Sequence, residues 1–396
     1  MARLVFLGCM AYLAVGLGQL VVGTIMEPMV DAYGVQYGDG GQLVMNQFLG
    51  GMVGIVLAPW LIKIIGKKTL LLSALGLMVI AQVVYFFKPD WGVMLAMGPL
   101  AGFGFGTTEA VVGSFIIGAA VGNANVAMSR VEVFFGGGAL LMPFAGAWLI
   151  SNGYWSGAFL VVGATAVIAM LLWLIYWPKI LDQPGGLAAD KAVRTSNTGI
   201  SRSRVRVVLI ACSLFFAVYV GLEMSLTHYL PSMLVNNNGL SDSTAALSLS
   251  IFWGAMVVGR LFAGHTADRW GGAAYLLVTC IVTAILFIIM GGMDSVWATY
   301  ILVFLAGLAM SGMFAIALVF VNRAAPGMTE RTTSLMMAFG GVGGALMPKL
   351  TGWFLDENGT EATRWLFAVF AVAMLGTMIW ALIATRPLRR DSKAAA

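Results

Sequence analysis

The fourteen residues Phe134 to Ala147, FFGGGALLMPFAGA, return 205 positions later as Phe339 to Gly352, FGGVGGALMPKLTG. The same offset places Leu100-Ala101-Gly102 on Leu305-Ala306-Gly307, Val15-Gly16-Leu17 on Val220-Gly221-Leu222, Val53-Gly54 on Val258-Gly259, and Gly66 on Gly271. A constant offset at well-separated places means that one unit was duplicated with little net insertion. The two halves should therefore share one fold and one orientation, with residues 1–178 forming the first half, 179–204 a linker and 205–396 the second.

Composition identifies the solvent of that fold. Hydrophobic residues make up 60% of the chain and charged residues 10%, against about 45–50% and about 25% in a soluble domain. A helix needs about 20 mostly apolar residues to cross a bilayer, and the chain offers twelve such runs, six per repeat: 4–26, 42–65, 68–87, 93–118, 128–151, 155–177, 205–230, 243–265, 273–292, 296–322, 331–355 and 363–385. They lack the period-two alternation of a barrel strand, so they must satisfy their backbone internally as helices. The expected fold is an all-α membrane protein of twelve transmembrane helices in two parallel six-helix repeats.

The opening MARLVF leads into an apolar run too long for a signal peptide, with no small-residue cleavage site after it, and reads as the first span. With both termini in the cytoplasm, only Lys88, Lys349 and Arg364 of the 22 Lys and Arg fall outward, which is the asymmetry that sets orientation. The net charge of +5 thus belongs to topology and gives no reason to expect nucleic acid. Asp31, Asp39, Asp242, Asp356 and Glu357 face outward in this arrangement. The linker region, PKILDQPGGLAADKAVRTSNTGISRSR, is polar and rich in Pro, Gly and Ser. Cys9, Cys212 and Cys280 have no paired spacing, so neither a disulfide framework nor a metal centre is expected. No cofactor is implied, and no nucleophile with an adjacent base or P-loop points to an enzyme. Gly102, Gly104 and Gly106 mimic a dinucleotide fingerprint but lie inside a span.

Parallel six-helix repeats around a cytoplasmic linker resemble the major facilitator superfamily of secondary transporters. That family carries a Gly-x-x-x-Asp-Arg/Lys-x-Gly signature after its second helix and a weaker copy after its eighth. Here the second copy fits, from Gly264 through Asp268-Arg269 to Gly271, whereas the first, ending Lys63-Ile64-Ile65-Gly66, has Lys in the Asp slot. The resemblance assigns Asp268, Arg269 and Arg260 to gating, with Arg130 beside the inner end of helix five; an inner positive anchor is the alternative for each. Three further segments, GTTEAVVGSF from Gly106, SRVEVFFG from Ser129 and Gly221-Leu222-Glu223, resemble the fucose/glucose permease branch and are similar to bacterial glucose/mannose proton symporters. The resemblance implies a bacterial cytoplasmic membrane, a small-molecule solute and the proton as coupling ion.

Glu109, Glu132 and Glu223 fall inside predicted spans, where an unpaired carboxylate costs about 2.5–3.5 kcal/mol. Such a group needs a partner, a cavity or a proton. Glu109, with no basic residue at i±3 or i±4, is the first candidate proton carrier; a carboxyl hydrogen-bonded for structural reasons is the alternative. Glu132 could exchange between Arg130 and a proton, or simply complement a helix N-terminus. Gln19 and Glu223 sit at equivalent depth in the two repeats, and solute sites of such carriers lie near the midplane at the repeat interface. With Asn46 and Gln47 they could hold hydroxyls, while Tyr219, Phe252 and Trp253 could support an apolar sugar face. Packing is the alternative for each aromatic and an interhelical bond for each amide. His228 reads as an interface residue and Lys349 as a snorkelling one.

The sequence thus favours a monomeric, proton-coupled uptake carrier for a hydroxylated solute, most of all a hexose. A proton-coupled exporter, whose adaptable cavity the 25 Met would suit, and a non-transporting sugar sensor are the competing expectations.

Overall fold

Long apolar runs with backbone bonds closed internally should appear as helices, and they do. The computed structural model describes residues 2–119, 124–182, 202–325 and 329–394, so most of the expected linker lies outside the described residues. Among the described residues there are α-helices, one short 3₁₀ turn and no strand: α1 (Ala2–Thr24), α2 (Met26–Tyr33), α3 (Tyr37–Ile65), α4 (Lys67–Phe86), α5 (Trp91–Ala119), α6 (Ala124–Ser151), α7 (Gly157–Ile175), α8 (Arg202–Asn238), α9 (Asp242–Ala246), α10 (Ser248–Trp270), α11 (Gly272–Gly291), α12 (Val296–Met310), α13 (Met313–Ala324) and α14 (Thr329–Ala394). Helix α14 holds two spans that meet at Gly359, whose φ of 74° breaks the helix. Helices α9 and α10 form one span, as do α12 and α13, so the described residues supply twelve helical stretches long enough to cross a membrane.

The duplication is visible in atomic contacts. A Cβ on Gly54 of α3 would lie 2.8 Å from the Phe103 carbonyl oxygen of α5, and one on the equivalent Gly259 of α10 would lie 3.1 Å from that of Leu308 in α12. Phe103 and Leu308 are themselves 205 residues apart, so each half uses the same glycine to bring the same pair of helices together, as small residues do in lipid. Gly66 and Gly271 are likewise equivalent and have φ of 82° and 85°. Left-handed φ is accessible to glycine at no steric cost, which is why both turns, before α4 and before α11, carry it.

The chain divides into two compact units, Met1–Ala192 with Thr227–Trp253, and Val193–Leu226 with Gly254–Ala396. In the first, α1 is the most thoroughly covered span, with Ala11, Ala14, Val15, Val21 and Val22 fully buried. Helix α3 instead exposes Val56, Trp60 and Ile64, a surface suited to acyl chains rather than water. The C-terminal part of α8, together with α9 and the first part of α10, belongs to this unit: Ser250 donates to the Leu140 carbonyl of α6 at 3.2 Å, and Trp253 meets Phe135 edge-on at 6.2 Å.

In the second unit Arg364, buried near the start of α14's second span, donates to the Met293 carbonyl and to the Asp294 carboxylate after α11. Hydrogen bonds from a charged donor are worth about 1.5–3 kcal/mol when buried, but Asp294 is 80% exposed and can be rehydrated. Arg364→Ala should therefore lower stability by about 1–2 kcal/mol, seen as a lower melting midpoint in detergent. Arg364→Lys should recover only part of it, because an ammonium cannot reach both acceptors with the fork of a guanidinium.

Candidate functional site

The sequence-predicted intramembrane carboxylates fall in both units. In the first, Glu109 of α5 lies partly accessible within the unit, and the Tyr12 hydroxyl of α1 donates to its backbone carbonyl at 3.1 Å. Glu132 of α6 is near enough to interact electrostatically with both Glu109 and Tyr12. Tyr12, Glu109 and Glu132 thus converge from three helices. Among the described residues no cationic side chain faces Glu109. Arg130 is exposed, its carbonyl accepting weakly from the Cys9 thiol at 3.8 Å. Two neighbouring carboxylates repel, and a proton on either one relieves that repulsion.

The second unit brings Glu223 and Tyr219 of α8 together with Arg260 of α10. Sequence reasoning grouped Arg260 with Asp268 and Arg269, whereas the structure sets it beside the Glu223 carboxylate. Glu223 is 6% exposed, so the guanidinium supplies the counter-charge that an intramembrane carboxylate requires. Tyr219 stacks on Phe215 with centroids 6.0 Å apart, flanks Phe314 at 6.4 Å, and donates to the Met310 carbonyl at 3.3 Å. That carbonyl ends α12, where the helix breaks before α13, so the hydroxyl satisfies a helix terminus.

The remaining candidates are more dispersed. Asn46 donates to the Leu95 carbonyl at 3.0 Å and accepts from Gln42 at 2.9 Å. Leu95 lies four residues before Pro99 of α5, and proline has no N–H to give that carbonyl; Asn46 provides the missing donor. Gln47 is buried beside Tyr85 of α4. Phe252 and Trp253 are buried and meet edge-on at 6.0 Å. Gln19 is half-buried on α1, and Asp268 and Arg269 are exposed at the C-terminal end of α10. An apolar groove of about 400 Å³ between α3, α4 and α5, lined by Leu49, Val53, Leu77, Leu100 and Phe103, offers nothing that could hydrogen-bond a polar solute.

One charged cluster was missed. Glu27, in the first turn of α2, is 9% exposed and accepts from the Tyr37 hydroxyl of α3 with both oxygens, at 2.8 and 2.9 Å. Asn236 of α8 donates to that hydroxyl at 2.9 Å, and the Tyr229 hydroxyl donates to the Tyr37 carbonyl at 3.0 Å. The signal available in the sequence was a lone Glu directly before Pro28 and just past the first span.

The sequence profile of the Major Facilitator Superfamily matches residues 8–290 and 224–396. A glucose/mannose transporter of Bacillus subtilis (strain 168) is 28% identical over 373 residues, covering 93% of this chain and 92% of that protein. A 2-nitroimidazole transporter of Escherichia coli (strain K12) is 26% identical over 262 residues, 61% of this chain and 58% of that protein. Among solved structures, a D-xylose–proton symporter superimposes with a TM-score of 0.75 at 16% identity, over 95% of this chain and 96% of that one. This last likeness speaks to fold alone.

Proposed function

We propose that this chain, which belongs to the major facilitator superfamily, is a proton-coupled uptake carrier for a small hydroxylated solute, a hexose such as glucose or mannose. It is a multi-pass membrane transporter and not an enzyme; the coupling ion and the solute are our reading. The observation that carries it is Glu109, an intramembrane carboxyl group with a second carboxyl beside it and, among the described residues, no facing cation. A carboxylate so placed is neutralised most directly by a proton, and a neutral group crosses the low-dielectric interior far more cheaply than an ion.

In the proposed cycle an outside proton neutralises Glu109, the loaded carrier reorients, and the proton leaves to the cytoplasm with the solute. Glu223, Tyr219 and Arg260 supply acceptors and donors for hydroxyls, and the Phe215–Tyr219 stack supplies an apolar face. Kinship with a glucose/mannose transporter along nearly the whole chain supports the hexose. The distribution of Lys and Arg supports cytoplasmic termini in a bacterial cytoplasmic membrane. Nothing in the cycle calls for more than a monomer.

The test is proton movement caused by sugar. Adding glucose or mannose outside lightly buffered proteoliposomes should alkalinise the medium, and a protonophore should abolish the change. Sugar entry without proton movement would contradict coupling. Proton entry coupled to the efflux of an apolar drug, with no response to any hexose, would favour the exporter.

A further inference from the structure

We propose that Glu27 is a proton-operated latch at the extracellular face, holding the outer ends of α8 and α9 against α2 and α3 when it carries a proton and releasing them when it does not.

The latch is built within the first unit. Glu27 and Asp31 lie on α2, Tyr37 begins α3, Tyr229, Ser232 and Asn236 lie on the outer part of α8, and Asp242 begins α9. Tyr37 is the link: its hydroxyl donates to Glu27 and accepts from Asn236, and its carbonyl accepts from Tyr229. The buried Ser232 hydroxyl stands beside the same carboxyl group. The charged groups that act on Glu27 are Asp242 and Asp31, both of like sign. Asp39, the other acid at the start of α3, is occupied in capping the Gln36 N–H at 3.2 Å. His228 lies on α8 where that helix meets Gly23.

An ionised Glu27 is therefore buried, faces two further carboxylates and has no counter-charge among the groups acting on it. Burial is the main cause that holds its carboxyl group above the ordinary range; the Tyr37 and Ser232 hydroxyls oppose this, and Asp242 and Asp31 add to it. The consequence has a definite sign. The docked arrangement binds the proton more firmly than an arrangement in which Glu27 meets water, so docking is fully favoured below the ordinary carboxyl value of about 4.3. The advantage is lost as the pH rises through the docked group's higher value. Each unit separating the two values is a tenfold change in the docked-to-undocked ratio.

This inference rests on alternating access, which the carrier reading assumes, but not on the solute or on Glu109. An outer face that shuts on taking up a proton would let external acidity favour closure behind an entering load.

The test uses the full chain in nanodiscs, without sugar and without a gradient. Spin labels on Ala32→Cys and Leu240→Cys, with Cys9, Cys212 and Cys280 replaced by Ser, report docking as a short interlabel distance from about pH 4 to about pH 8, which spans the ordinary carboxyl value. The short-distance fraction should fall as pH rises. In Glu27→Gln, which keeps the shape and cannot ionise, it should stay high and flat. Tyr37→Phe should lower it at every pH, through loss of the link to Asn236, and should carry its fall to higher pH, because the hydroxyl that favours ionised Glu27 is gone. A pH-independent distance in the parent protein, or a Glu27→Gln variant that titrates like the parent, would overturn the latch. Failure to carry glucose would leave these distances untouched.

Discussion

Glu109→Gln should abolish proton-driven accumulation while leaving solute exchange intact. The amide keeps the shape and hydrogen-bonding capacity of a protonated carboxyl group, so the loaded conformation remains accessible, but no proton can be released. A one-unit inward pH gradient coupled one-to-one supports about a tenfold accumulation, since tenfold is worth about 1.4 kcal/mol. The variant should show none, the internal concentration settling at the external one, while counterflow against preloaded sugar proceeds at a rate near that of the parent. Glu132 lies beside Glu109, so Glu132→Gln, which removes the repulsion without removing the carrier, should keep accumulation and alter its pH profile. Loss of solute binding with coupling intact in Glu109→Gln would reassign Glu109 to the solute.

The second large effect is structural. A Cβ on Gly102 of α5 would fall on the Gln47 backbone carbonyl of α3, and along the same seam Gly50 faces the Pro99 carbonyl and Gly106 that of Gly51. Because the obstacle is backbone, no rotamer change relieves it and the two helices must separate. Overpacking costs about 1–3 kcal/mol in a well-packed core, and Gly102→Val forces it where the contact is closest. The variant should yield little monodisperse protein, with a strongly lowered melting midpoint. Gly76→Ala is the matched control, since a Cβ there meets nothing within 4 Å and an alanine favours the helix by about 0.5–1 kcal/mol. Gly102→Val with the parent's yield and melting behaviour would refute this account of the seam.

The architecture was legible because duplication leaves its trace in the residues that geometry constrains most. Gly54 and Gly259 recur because each admits a carbonyl, and Gly66 and Gly271 because each adopts a φ that other residues avoid. Glu109 was legible as a charge amid apolar residues. Its proximity to Glu132 and Tyr12 was not, because it depends on how α1, α5 and α6 cross. The same holds for Arg260: local spacing ties it to Asp268 on its own helix, while its partner Glu223 lies on α8. Asn46 shows the reverse difficulty. Its amide reads from the sequence as a solute ligand or an interhelical bond, and only the fold shows Pro99, far along the chain, leaving the Leu95 carbonyl to accept from it. The grouping of the C-terminal part of α8 and of α9 with the first unit, and with it the Glu27–Tyr37–Asn236 chain, depends on tertiary placement that no periodicity encodes.

The most direct measurement of the central claim is uptake of radiolabelled glucose into proteoliposomes under an imposed inward proton gradient, with unlabelled hexoses as competitors and with and without a protonophore. The account predicts accumulation above the external concentration that the protonophore collapses to equilibrium and that a subset of hexoses competes away. Glucose that only equilibrates whatever the gradient, or that fails to enter while an apolar cation is expelled from the same vesicles, would contradict it.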